Sequence, residues 1–230
     1  MRNYVIAPSI LAADSARLGE EVQAVLKAGA DWIHIDVMDN HFTPNLAFGP
    51  KLCQDLRNFG INAPLEVHLA VNSVDHLISV FAESGVDMIT FHPEATKDIH
   101  GTLELIHSHG LKAGLVFSPG TPLTVLTASP LHIELISILG VYPGFGGQMF
   151  IPSVLEKIRE ARTWIDQNNP AVRLGVDGGI NLTNINTIAK AGADTFMMGT
   201  SIFQSEDYLF AINAFRYQLG CVSSDRSKIA

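Results

Sequence analysis

Ala28-Gly-Ala-Asp-Trp-Ile-His-Ile-Asp36 returns in outline as Ser84-Gly-Val-Asp-Met-Ile-Thr-Phe-His92, as His109-Gly-Leu-Lys-Ala-Gly-Leu-Val-Phe117 and as Ala191-Gly-Ala-Asp-Thr-Phe-Met-Met-Gly199. In each copy an amphipathic stretch ends at glycine, the residue that best tolerates the left-handed conformation of a helix exit. An apolar run follows within a few positions, as a buried strand would. A glycine followed by such a strand is what a βα unit looks like from the end of its helix.

Extending the pattern gives roughly eight strands, at Val5–Ser9, Trp32–Val37, Leu65–Leu69, Met88–Phe91, Ala113–Phe117, Leu135–Leu139, Arg173–Val176 and Thr195–Met198. Helical segments are expected near Ala16–Ala28, Gly49–Phe59, Val74–Ser84, Thr102–His109, Pro122–Ala128, Pro152–Asn168, Leu182–Ala191 and Glu206–Leu219. Strand and helix alternate with no linker, low-complexity tract or charge block. The expected organisation is one unit over residues 1–220 and a polar tail over 221–230. Such a parallel sheet either closes into a (β/α)8 barrel of the TIM type or stays open and doubly wound. The placement of polar residues favours closure. His34, His68, His92 and Asp177 are expected at strand ends, where a barrel gathers its catalytic groups into one mouth, whereas an open sheet would spread them along an edge.

Composition restricts the functional classes. With 230 residues, 47% of them hydrophobic and 17% charged, the chain can fill a large core and does not read as disordered. Its net charge of -8 argues against non-specific binding to nucleic acid or to an anionic membrane surface. Two cysteines, Cys53 and Cys221, make no disulfide framework and suit a reducing compartment. The N-terminal MRNYVIAPSIL lacks a signal-peptide layout, and no apolar run reaches membrane-spanning length. A cytoplasmic protein is expected.

On a strand, side chains two apart share a face, so His34, Asp36 and Met38 point one way while Ile33, Ile35 and Val37 point the other. Two imidazoles and two carboxylates converging from separate strands, His34, Asp36, His68 and Asp177, would make a divalent-metal site. His68 alone also reads as a core histidine, and Asp177 alone as a helix-capping turn residue. A second signal comes from Pro143-Gly-Phe-Gly-Gly147, Asp177-Gly-Gly179 and Gly199-Thr-Ser201, which follow the sixth, seventh and eighth strands. Consecutive glycine-rich loops there commonly bind phosphate through backbone amides, with no need for lysine or arginine.

Pro8-Ser-Ile-Leu11, His34-Ile-Asp-Val-Met-Asp39 with His41-Phe42 and Pro44-Asn45, Val67-His-Leu69, His92-Pro-Glu94, Pro143-Gly-Phe-Gly-Gly-Gln148 and Val176-Asp-Gly-Gly-Ile-Asn181 together resemble the signature blocks of the ribulose-phosphate 3-epimerases, in family order. The resemblance implies a ribulose-phosphate-binding barrel that interconverts D-ribulose 5-phosphate and D-xylulose 5-phosphate in the pentose phosphate pathway. It implies His34, Asp36, His68 and Asp177 as ligands of one divalent metal, and Asp36 and Asp177 as the acid/base pair. Ser9 and His68 would touch the substrate, with Gly144, Phe145, Gly146, Gly147, Gly178, Gly179, Gly199 and Thr200 around its phosphate. The donor set accepts zinc, iron, manganese or cobalt, no organic cofactor is needed, and the family's habit suggests a homo-oligomer.

The chain departs from the family pattern at Ala70 and Leu139, where methionines are usual, at Tyr142 in place of Asn, and at Asn40 in place of Gly. Met38, Ala70, His92 and Leu139 are the residues expected to line the pocket. Ala70 and Leu139 keep open a longer ketose phosphate such as D-allulose 6-phosphate as the substrate. A non-catalytic sugar-phosphate-binding relative is a further alternative. A decarboxylase or lyase on a related barrel would need an Asp-x-Lys pair, and Asp36-Val-Met38 has no lysine.

Overall fold

The computed structural model describes residues 4–128 and 131–226. Eight parallel strands form a barrel: β1 (Val5–Pro8), β2 (Ile33–Asp39), β3 (Leu65–Ala70), β4 (Met88–Phe91), β5 (Lys112–Phe117), β6 (Leu135–Leu139), β7 (Arg173–Asp177) and β8 (Thr195–Met198). A two-residue antiparallel strand, Leu46–Ala47, pairs with the end of β2. The intervening helices are α1 (Leu18–Lys27), α2 (Pro50–Asn58), α3 (Asp75–Glu83), α4 (Ile99–Ser108), α5 (Val125–Ala128), α6 (Val154–Asn168), α7 (Ile185–Ala191), α8 (Thr200–Phe203) and α9 (Tyr208–Arg226). β1 pairs with β8 from Val5↔Thr195 to Pro8↔Met198, and the ring closes on β2 through the Ser9↔His34 bridge. The Asp31 N–H also donates to the Ile6 carbonyl across this seam, at 2.9 Å. No helix among the described residues is long and apolar enough to cross a membrane.

The strands alternate as the sequence pattern requires. Ile33, Ile35 and Val37 of β2 and Leu174 and Val176 of β7 join the apolar layer shared with the helices. Their alternates face the barrel axis, where Val5, Ala7, Met88, Leu135 and Met197 pack with Trp32 as a separate apolar plug. Helix α6 supplies Val154, Ile158, Ala161 and Ile165 to the outer layer, one stripe at helical spacing. The repeated glycines Gly29, Gly85, Gly110 and Gly192 have φ between 75° and 132°, the left-handed exit their position predicts.

The acids in the repeat have a common task. Each even-numbered strand is preceded by a carboxylate that accepts a hydrogen bond from an amide at the base of the preceding odd strand. Ile6 N–H donates to Asp31 at 2.7 Å, Leu65 N–H to Asp87 at 2.8 Å, Ala113 N–H to Glu134 at 2.8 Å, and Leu174 N–H to Asp194 at 3.2 Å. The backbone N–H of each acid returns a bond to the carbonyl of the same partner, at 2.8–3.0 Å. Four two-point clasps therefore fix strand register at the barrel floor.

Two expectations are corrected. His34 is the second residue of β2 rather than a strand-end residue, because β2 runs on to Asp39 and pairs there with Leu46–Ala47. Its lateral partner is Glu66, while Asp36 stands beside His68 and His68 beside Thr90. Strand tilt and stagger bring these unequal sequence depths to one level. The second correction concerns the last helical segment, expected over Glu206–Leu219: the short α8 precedes it and α9 starts at Tyr208. Helix α9 continues through position 220 to Arg226, past the expected end at Leu219, so six residues of the expected tail are helical. Residues 227–230 of that tail lie outside the described residues.

The clasps should differ in weight. The Asp194 side chain is 9% exposed and that of Asp87 50%. Asp194→Ala leaves a buried amide without its acceptor, which typically costs about 1–3 kcal/mol. Asp87→Ala is expected to cost less, since water can replace the carboxylate. Urea unfolding of both variants checks the order.

Candidate active site

Inward-facing residues at the carboxyl end of the barrel form one buried polar cluster. Asp36 Oδ1 lies 3.2 Å from His34 Nε2 and 3.0 Å from His68 Nδ1, and Asp177 Oδ2 lies 3.7 Å from His34 Nε2. One ligand atom from each of His34, Asp36, His68 and Asp177 falls within 4.8 Å of the others. Ser9 Oγ donates to Asp36 Oδ2 at 2.9 Å across the barrel seam.

The outer ring of hydrogen bonds determines which atoms remain free. His34 Nδ1–H donates to Glu66 Oε2, and Thr90 Oγ1 donates to the other Glu66 oxygen at 2.5 Å. His68 Nε2 meets His92 Nε2 at 2.9 Å. His92 is fully buried, and that burial, with His68 beside it, holds its basicity well below the usual imidazole range. A neutral His92 with its Nδ1 toward Ser118 Oγ at 3.4 Å and Glu94 Oε1 at 3.8 Å accepts from His68 Nε2–H. The His34 Nε2 and His68 Nδ1 lone pairs then converge with carboxylate oxygens and no shared proton. Such a donor set fits a divalent cation held by two imidazoles and two carboxylates.

The surrounding carboxylates make this a place for positive charge, either a cation or a proton on His34. Burial alone would disfavour a charged His34, but the carboxylates of Glu66, Asp36 and Asp177 outweigh it and raise its pKa well above the ordinary value. Burial would also raise Asp36; the neighbouring His34 and His68 reverse this and hold it far below the usual carboxylate range. Asp177 goes the other way. Burial and the Asp36 charge, opposed by His34, push it up to about 6. Two carboxyls close to one imidazole therefore favour opposite protonation states.

A cavity opens above the cluster. Its walls include Ser9, Asp36, Met38, His68, Leu139 and Asp177, with Gly144, Phe145, Gly146, Gly147, Gly178, Gly179, Gly199 and Thr200 toward the rim. Of the four residues expected to line the pocket, Met38 and Leu139 do so. Ala70 and His92 are fully buried and stand outside this wall. No lysine or arginine is among the lining residues, and the buried Ser201 hydroxyl on this wall has no hydrogen-bond partner. Asn45 Nδ2 donates to the Gly144 carbonyl at 2.6 Å, and Gln148 Nε2 donates to the Tyr142 and Phe145 carbonyls, which fixes the Pro143–Gly147 loop. Sequence reasoning missed Glu66 and Thr90. Their only advance sign was an even spacing from His68 and His92 along inward faces.

The fold and the cluster define a (β/α)8 barrel with a His₂Asp₂ centre below a glycine-rounded cavity. Residues 5–203 match the model of the ribulose-phosphate 3 epimerase family, and the chain belongs to that family. It is 51% identical over 225 residues to the ribulose-phosphate 3-epimerase of Escherichia coli strain K12, covering 98% of this chain and 100% of that protein. It is also 51% identical over 208 residues to the ribulose-phosphate 3-epimerase of Serratia marcescens, covering 90% of this chain and 99% of that protein. Among solved structures it resembles a 3-hexulose-6-phosphate synthase, with a TM-score of 0.69 and 16% identity over 93% of this chain and 99% of that one. The orotidine 5'-phosphate decarboxylase of Pyrococcus horikoshii OT3 has a TM-score of 0.66 at 15% identity, over 93% and 98% of the two chains. At such identities the likeness is one of fold.

Gly179 tests the shape of the cavity rim. Its φ is 71°, and a Cβ there would stand 2.6 Å from the Phe150 backbone. Gly179→Ala combines that clash with a strained φ of the kind that costs about 1–3 kcal/mol. A lowered melting temperature is the expected result.

Proposed function

We propose that this chain interconverts D-ribulose 5-phosphate and D-xylulose 5-phosphate by moving the proton on C3. The observation that carries the reading is the convergence of Asp36 and Asp177 with His34 and His68 at the base of one cavity, in a chain that matches an epimerase over 98% of its length. Epimerisation beside a ketone removes a proton from one face of the carbon and delivers another to the opposite face. An ionised Asp36 suits the first task and a protonated Asp177 the second, with the roles exchanged in the reverse reaction. Each positioned acid or base is typically worth about 10²- to 10⁴-fold.

His34, Asp36, His68 and Asp177 would hold one divalent ion of zinc, iron, manganese or cobalt, which supplies Lewis-acid stabilisation of the enediolate oxygens. Glu66 and His92 orient the two imidazoles through their outer nitrogens. The Ser9 hydroxyl steadies Asp36 and faces the substrate. The phosphate would rest on the amides of Gly144–Gly147, Gly178–Gly179 and Gly199–Thr200, with the Ser201 hydroxyl as a further donor. No organic cofactor enters the scheme.

Ala70 stands outside the cavity wall, so it no longer supports a six-carbon substrate; Leu139 alone bears on that choice. The same reading makes the chain a cytoplasmic homo-oligomer with no membrane or nucleic-acid partner, and the exposed Leu209, Phe210 and Tyr217 on α9 offer an apolar face for self-association.

Turnover of ribulose 5-phosphate in deuterated water, with product and C3 deuterium followed together, tests the function directly. Allulose 6-phosphate in parallel settles chain length. Asp36→Asn and Asp177→Asn are each expected to lower turnover by about 10²-fold or more with the fold intact. Near-normal turnover in either would remove that residue from the mechanism. Glu66→Gln is expected to weaken metal retention about 10- to 100-fold, the usual effect of losing the outer partner of a ligating histidine. Dialysis against a chelator followed by metal analysis measures it.

A further inference from the structure

The four clasps at the barrel floor share one arrangement, with a single change of partner. Asp31 is paired with Arg216 at 2.9 Å, Asp87 with Arg57 at 2.6 Å, and Asp194 with Arg173 and Arg162 at 3.5 and 3.6 Å. Glu134 instead meets two imidazoles. His107 Nε2 lies 3.2 Å from its Oε2, and His132 Nε2 lies 3.3 Å from its Oε1. The two rings stack with centroids 4.2 Å apart. Where a guanidinium brings a permanent positive charge, this position has two nitrogen ligands beside a carboxylate.

We propose that His107, His132 and Glu134 form a second divalent-metal site, of the zinc class, on the barrel floor and separate from the His34 cluster. One ligand atom from each lies within 4.8 Å of the others, and two imidazoles with one carboxylate suit a tetrahedral ion that keeps one open position. The carboxylate is already oriented, because the Ala113 N–H holds Glu134 Oε2 at 2.8 Å. Such an outer hydrogen bond is what fixes ligands in built metal sites. His107 is set by the last turn of α4, and Glu104, one turn earlier on the same face, lines the same groove. Water completes the coordination. The His132 side chain is 76% exposed, which gives the ion an entry path. An ion there restores the positive charge that arginine supplies at the other three clasps, and ties α4 to the bases of β5 and β6.

The test uses the untagged full-length chain loaded with Zn²⁺ alone, desalted, and analysed for metal per chain beside His132→Ala and Glu134→Gln. The wild type should retain one equivalent more than either variant. Equal retention overturns the proposal. Glu134 also holds the floor amide, so Glu134→Gln can lose stability for that reason. His132→Ala removes an exposed side chain and keeps the experiment decisive. Added Zn²⁺ should also raise the melting temperature of the wild type more than that of His132→Ala. An identical rise in both counts against the site.

Discussion

Register at the barrel floor is the constraint on which the rest of this structure depends. Asp31, Asp87, Glu134 and Asp194 each hold one residue of the neighbouring strand by two hydrogen bonds. A parallel strand that slipped by one residue would turn its inward set outward. On β2 such a slip would exchange His34 and Asp36 for Ile33, Ile35 and Val37. The clasps at the floor thus decide which side chains reach the chemistry at the other end.

Above the clasps, the barrel axis changes from apolar to charged within a few residues. Val5, Ala7, Met88, Leu135 and Met197 close it below. Glu66, Thr90, His34, Asp36 and His68 then stand almost entirely removed from water. Burying so many ionisable groups is unfavourable unless each is paired and hydrogen-bonded. Here every one has a partner, from Thr90 through Glu66 and His34 to Asp36, and from Asp36 through His68 to His92. A network this fully connected holds its members in one geometry, which proton transfer at a single carbon requires.

The parts legible in the sequence were those governed by local rules. Glycine before an apolar run placed four of the barrel strands, and apolar runs of the same kind placed the other four, all to within a residue or two, because the helix exit and the buried strand each restrict residue choice strongly. Asn40, which stands where Gly is usual, has φ 59°, a left-handed backbone that Asn also tolerates. His34, Asp36, His68 and Asp177 were readable because their residue types are unusual on inward faces. Glu66 and Thr90 were not singled out, since a carboxylate and a hydroxyl on a strand carry no sign of the imidazole they will meet across the sheet. The depth of His34 was misjudged for a related reason, as stagger is a property of paired strands. The common role of the four floor acids was equally invisible. Three follow glycine in the repeat, but their amide partners lie some 20 to 25 residues away.

The seam between β1 and β2 gives the molecule an unusual economy of assembly. Ser9 closes the ring by its backbone bridge to His34 and, from the same residue, sends its hydroxyl to Asp36. Completing the cylinder and finishing the reactive centre are therefore a single structural event. Undocking the first strand would open the cylinder and withdraw the hydroxyl from Asp36 in one step, while His34, Asp36, His68 and Asp177 stay on their own strands.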